Sequence, residues 1–82
     1  MSIIEPGLFR VFERFPDRKD SAKALFRKSE SFQSLCEDYR QCAKALQYWS
    51  HSSAECAIAR RGEYAVLLQE LEQELLQRLD KC

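Results

Sequence analysis

Residues 25–50, LFRKSESFQSLCEDYRQCAKALQYWS, carry the clearest periodic signal in the chain. Leu25, Phe32, Leu35, Tyr39, Cys42, Leu46 and Trp49 recur at intervals of seven, three, four, three, four and three, which is the seam of an amphipathic helix. Arg27, Glu30, Gln33, Glu37, Asp38, Arg40, Gln41 and Lys44 fill the solvated side. Ser29-Glu30-Ser31 is a soft spot, since a serine there could cap a new helix. Two readings stay open: one helix over about 17–50, or a pair over 17–28 and 30–50.

Downstream, Tyr64, Leu68, Leu71, Leu75, Leu79 and Cys82 define a second helix over about 54–81, flanked by Leu67 and Leu76. Its stripe spans about 180°, wider than one neighbouring helix covers. Between the two helices, Ser50-His51-Ser52-Ser53 reads as a turn, and Ser52 with Glu55 as a capping box. A short turn makes the helices antiparallel, with Tyr39 facing Tyr64, Leu35 facing Leu68 and Phe32 facing Leu71. Phe32, Leu67, Leu71 and Leu75 are the expected hairpin core. Gly62 inside the second helix marks either a kink or the start of its regular part.

Upstream, Leu8, Val11, Phe12 and Phe15 follow a helical spacing behind Pro6, giving a short helix over about 6–15. Pro16 ends it, and Asp17 is placed to cap the next. A helix of that length is marginal alone and must dock. The expected architecture is a single all-α domain over 1–82, a long antiparallel helical hairpin with a short N-terminal helix. As a dimer it could form a four-helix bundle.

Composition agrees. Eighty-two residues, 45% hydrophobic and 32% charged, with two Gly and two Pro, make one small helical domain and too few turns for a β-sandwich. A core this thin makes self-association a natural route to stability. Thirteen basic and thirteen acidic side chains cancel, so the balance does not call for nucleic acid or an acidic membrane. No apolar run reaches the roughly 18 residues of a membrane helix, and Met1-Ser2-Ile3-Ile4-Glu5 lacks the pattern of a secretory signal. Reduced thiols in the cytoplasm are the expectation for Cys36, Cys42, Cys56 and Cys82.

The search for chemistry is largely negative. A solvated turn histidine outweighs a catalytic His51, because no acidic orienter or Gly-rich loop accompanies it. Glu70, Glu72 and Glu74 point in different directions round a helix and read as a solvated face. With neither C-x-x-C spacing nor a second histidine, no metal or cofactor is expected, and the chain reads as a non-enzyme. Cys36 and Cys42 sit about 9 Å apart on one helix, too far for an undistorted disulfide. Cys42 and Cys82 read as core filler, whereas Cys56 near the turn is the candidate reactive thiol.

Two surfaces remain. Phe9, Phe12, Phe26, Tyr48 and Leu76 outline a second apolar face, to be covered by residues 6–15 or by another copy of the hairpin. Arg10, Arg14, Arg18, Lys19 and Lys23 form a basic segment that could meet an anionic partner. Pairing of residues 10–28 with the C-terminal acids within the chain, Arg27 and Lys28 lying near Glu74 and Gln77, explains the same charges. The leading expectation is therefore an interaction module that self-associates, a dimer being favoured, with an unknown protein partner as a further option. The alternative is a small hairpin binding nucleic acid or another anionic partner.

Phe15-Pro16, Leu25, Phe32-x-x-Leu35, Glu37-Asp38-Tyr39, Glu63-Tyr64 and Leu67-x-x-Glu70-Leu71-Glu72-x-Glu74 together resemble the small YdcH-like bacterial proteins. The resemblance covers about residues 12–80. It implies a helical hairpin of uncharacterised function with no known active site.

Overall fold

The computed structural model describes residues 5–81. The fold is all-α: helix α1 (Pro6–Arg14), a 3-10 turn (Pro16–Arg18), α2 (Lys19–Lys28), α3 (Glu30–Ser50) and α4 (Ala57–Asp80). Among the described residues there is no strand. α3 and α4 form the antiparallel hairpin, and α1 and α2 pack against one end of it.

α1 starts at Pro6, whose missing N–H falls where a helix has no use for one. It stops at Phe15, which precedes Pro16 and adopts φ −127° and ψ 68°. Gly7, Leu8, Val11 and Phe12 form its buried face. Gly7 lies against the α3 backbone so closely that a methyl group there would stand 2.8 Å from the Cys36 carbonyl oxygen.

Asp17 does not cap the next helix. Pro16 instead opens a 3-10 turn, closed by the Arg18 N–H on the Phe15 carbonyl at 3.0 Å, and α2 begins beyond it without a side-chain cap. At the soft spot the split reading holds. Ser29 is extended, and its hydroxyl accepts the Phe32 N–H at 3.1 Å, which starts α3. The Gln33 amide donates to the Phe26 carbonyl at 2.6 Å, satisfying an acceptor that the end of α2 leaves open.

The turn is longer than expected. Ser52 accepts from the Ala54 N–H at 3.2 Å, so no capping box forms with Glu55, and α4 begins only at Ala57. The longer connection slides the hairpin register by nearly a turn. Tyr64 therefore faces Cys42, whose thiol donates to its carbonyl at 3.4 Å, instead of Tyr39. Gly62 interrupts nothing, since α4 runs straight through it.

The core sits at the end where all four helices meet. Val11, Ala22, Phe32, Cys36 and Leu75 are fully buried there, with Leu79, Leu8, Phe12, Leu35 and Tyr39 around them. Phe32 and Leu75 are core as expected and Leu71 is half-buried, but Leu67 is 43% exposed, since it lies about 80° round α4 from the buried Leu75, on the flank of the seam. Toward the turn the hairpin is two helices thick, and the buried residues there are Cys42 and Ala57.

Candidate functional site

Charge divides the basic segment in two. Arg14 Nε meets Glu72 at 3.0 Å, and the Tyr39 hydroxyl donates to the same carboxylate oxygen at 2.8 Å. Three helices are thereby clasped at one acid. The clasp raises the Arg14 pKa through its hydrogen bond to Glu72. Burial, then the bond to Glu72, raises that of Tyr39. Arg18 meets Asp80 at 2.6 Å, tying the 3-10 turn to the end of α4. The two charged ends of the chain thus meet, but through Arg14 and Arg18, whereas Glu74 pairs with Arg78 one turn along its own helix at 3.6 Å. Arg10 lies 3.8 Å from Glu13, also one turn away. Lys19 and Lys23 project outward from α2, with the Lys23 ammonium 5.9 Å from the centre of the Phe12 ring.

The expected apolar face does not assemble as one surface. Phe12 is buried at 7% exposure because it fills the contact of α1 with the hairpin, so it is unavailable to a partner. Phe26 is half-buried against the same core. Phe9 and Tyr48 are exposed and flank Lys44 and Gln47 on one side of α3. Leu76 is 39% exposed on a different helix.

α4 carries most of the outward apolar area. Ile58, Val66 and Leu67 join Leu76 as exposed large side chains, and of the helix's 24 residues only Ala57, Leu75 and Leu79 are buried. Val66 falls about 180° from the buried Leu75 at 100° per residue. That projection was available from the sequence, where attention to the leucine stripe hid it. Glu63, Val66, Leu67, Glu70 and Glu74 are all exposed and share this outer face. Beside it, Cys42, Ala45, Tyr64, Leu67 and Leu71 line an apolar groove of about 380 Å³ between α3 and α4. A second notch, of about 480 Å³, opens on Phe9, Phe12 and Pro16 with Glu13, Lys19 and Lys23 at its rim.

The cysteines differ by position. Cys36 is fully buried, and burial pushes its pKa up to about 12. Burial also raises that of Cys42. Cys56 is exposed just before α4. The expectation for Cys82 lies outside the described residues. His51 Nδ1 lies 2.8 Å from the Gln47 carbonyl at the end of α3, a local contact within one turn. Among the described residues no group of three or more His, Cys, Asp or Glu side chains is placed to hold a metal ion. No described helix is long and apolar enough to cross a membrane.

Fold and surfaces together define an all-α hairpin, braced at one end by two short helices and bare at the other. No family model, curated protein or solved structure matches the chain.

Proposed function

We propose that this chain is a non-enzymatic interaction module that self-associates through the outer face of α4, as a dimer in which hairpins form a larger helical bundle. Its kinship with the YdcH-like bacterial hairpins and a cytoplasmic setting, where the thiols stay reduced, belong to the same proposal. One observation carries it: a 24-residue helix with three buried residues displays the neighbouring Val66 and Leu67 to solvent on its outer face. Long helices draw most of their stability from packing of an apolar face, so a helix this bare is under-packed in the lone chain. Adjoining exposed apolar side chains on a small protein mark a contact surface. The second reading, an anionic or nucleic-acid partner on Arg10, Arg14, Arg18, Lys19 and Lys23, draws less support. Arg14 and Arg18 already face Glu72 and Asp80.

Light scattering on the reduced protein at about 100 μM, well above the Kd of a typical specific dimer, tests the reading. The expected mass is twice the 9.6 kDa of one chain. Val66→Glu, at a position 59% exposed, is expected to return the mass to that of one chain while the far-ultraviolet circular dichroism stays helical. A wild type that stays monomeric overturns the proposal, and a Val66→Glu dimer overturns the choice of face.

A further inference from the structure

We propose that Ser29 is a hinge at which α2 and α3 fuse into one helix, so that the arm formed by α1 and α2 docks on the hairpin of a second copy and the two chains exchange arms. The inference goes beyond the outer-face contact of α4, uses other surfaces and does not depend on it.

The break at Ser29 is one residue wide. With φ −129° and ψ 114°, Ser29 alone separates Lys19–Lys28 from Glu30–Ser50. Helical bonding continues on both sides of it. The Ser29 N–H donates to the Leu25 carbonyl at 2.9 Å and the Gln33 N–H to the Ser29 carbonyl at 3.1 Å, as in an unbroken helix. Fusion adds three bonds, from the N–H groups of Glu30, Ser31 and Phe32 to the carbonyls of Phe26, Arg27 and Lys28. It gives up two side-chain bonds: the Phe32 N–H on Ser29 Oγ at 3.1 Å and the Gln33 amide on the Phe26 carbonyl at 2.6 Å. Local bonding therefore leaves the broken and fused forms close in energy.

The apolar seam runs through the break without a change of phase. Ala22, Leu25, Ser29, Phe32, Cys36 and Tyr39 follow one another at intervals of three, four, three, four and three. A fused helix over 19–50, about 48 Å long, keeps all six on one stripe.

The fit of the arm names its occupant. Val11 and Ala22 are fully buried in one core with Phe32, Leu75 and Leu79, so an arm that swings out leaves the end of the hairpin bare. Few other segments could replace it, because Gly7 lies where an added methyl would stand 2.8 Å from the Cys36 carbonyl oxygen. Arg14 and Arg18 also carry the charges that meet Glu72 and Asp80. A second copy supplies each of these contacts unchanged. α2 touches both α3 and α4 beside its own hinge, so a two-fold axis near Ser29 brings the arm of each copy to the hairpin of the other. Such an exchange is reciprocal and closes as a dimer.

Opposite substitutions at the hinge test this, with Val66→Glu as the parent so that the outer-face contact does not contribute. Ser29→Ala removes the cap of α3 and favours helix, shifting each hinge about 10-fold and the dimerisation constant, with its two hinges, about 100-fold. Glu30→Pro added to it reverses the gain, since proline suits the first turn of α3, holds the preceding residue extended and blocks the fused helix. Light scattering over a dilution series reads both, after refolding at on the order of 1 mM, the effective concentration of a tethered segment. Circular dichroism checks folding, and Glu30→Gly replaces a proline variant that does not fold.

A cross-link reports the exchange itself. With Arg14→Lys, a carbodiimide joins positions 14 and 72 by an amide, within one chain when the arm is closed and between chains when it is exchanged. Refolding equal amounts of light-nitrogen and heavy-nitrogen protein gives mixed-isotope linked peptides only in the second case. Mixed links are expected in the dimer fraction, with the native hinge as with Ser29→Ala. No rise with Ser29→Ala, a rise that the proline does not reverse, or dimers linked only within single chains overturns the exchange. A dimeric Val66→Glu parent that becomes monomeric with Glu30→Pro supports the exchange and overturns the α4 face, and one that ignores both hinge variants overturns both.

Discussion

At the braced end of the hairpin, Phe32, Cys36 and Leu75 have no exposed surface, because α1 and α2 lie across α3 and α4 there. At the turn end the same two helices leave Ile58 at 75% and Tyr48 at 65% exposure. Composition does not separate the ends, since both are rich in apolar residues at helical spacing. Cover separates them. A seam between two helices buries one stripe on each, whereas two more helices are needed to bury the flanks. Folding strength therefore concentrates at one end, while Ile58 and Tyr48 stay uncovered at the other.

The largest contrast is in core truncation. Phe32→Ala is expected to lose about 3–5 kcal/mol, a large share of the roughly 4–12 kcal/mol typical for a chain of this length. Ile58→Ala is expected to change stability by no more than about 0.5 kcal/mol. Urea unfolding followed by circular dichroism measures both. A loss at Ile58 approaching that at Phe32 would mean that the turn end is covered in solution, which would break the contrast.

The two glycines sharpen it with opposite signs. At Gly7 an added methyl would meet the Cys36 carbonyl carbon and oxygen, backbone atoms that cannot swing aside. Gly7→Ala is therefore expected to lose about 1–3 kcal/mol as α1 is levered off α3. At Gly62 the same methyl meets nothing within 4 Å. Because α4 is continuous there, Gly62→Ala is expected to gain up to about 1 kcal/mol from helix propensity and a less flexible unfolded chain. Equal signs from the same urea titration would show that α1 does not press on α3.

Much of this was legible in the chain. The α3 seam, the Ser29 break and the short helix behind Pro6 follow from local rules: apolar spacing, a hydroxyl cap and a proline at a first turn. What failed depended on the connection. Ser52 accepts from Ala54 instead of capping at Glu55, and that lengthened turn moves Tyr64 from Tyr39 to Cys42. The partner of Phe12 was illegible for a related reason. Periodicity shows that a side of α1 must be buried, but whether its own hairpin or another chain covers it is a tertiary matter. The Glu72 clasp was hidden because Arg14 and Glu72 are 58 residues apart. Sequence predicted attraction between the charged ends without saying which residues would meet.

The cysteines extend the contrast to chemistry. Cys36 sits in the braced core with its pKa pushed by burial from 9.0 to about 12, whereas Cys56 is exposed before α4. A value raised in the fold means that the native state holds the thiol proton more tightly than the unfolded chain does. That contribution is complete below about pH 9 and is lost as pH rises toward 12. By pH 9.5 the loss is about 1 kcal/mol, small beside the Phe32 effect. Cys42, raised in the same direction, adds to the slope, so the contribution of Cys36 is isolated by difference from Cys36→Ala. The stability gap between wild type and that variant is expected to narrow from pH 8 to 9.5. At neutral pH a thiol reagent is expected to modify Cys56 promptly and Cys36 only as fast as the braced end opens. Prompt labelling of Cys36 would mean that the covered end breathes as freely as the bare one, and a gap constant with pH would mean that water already reaches its sulfur.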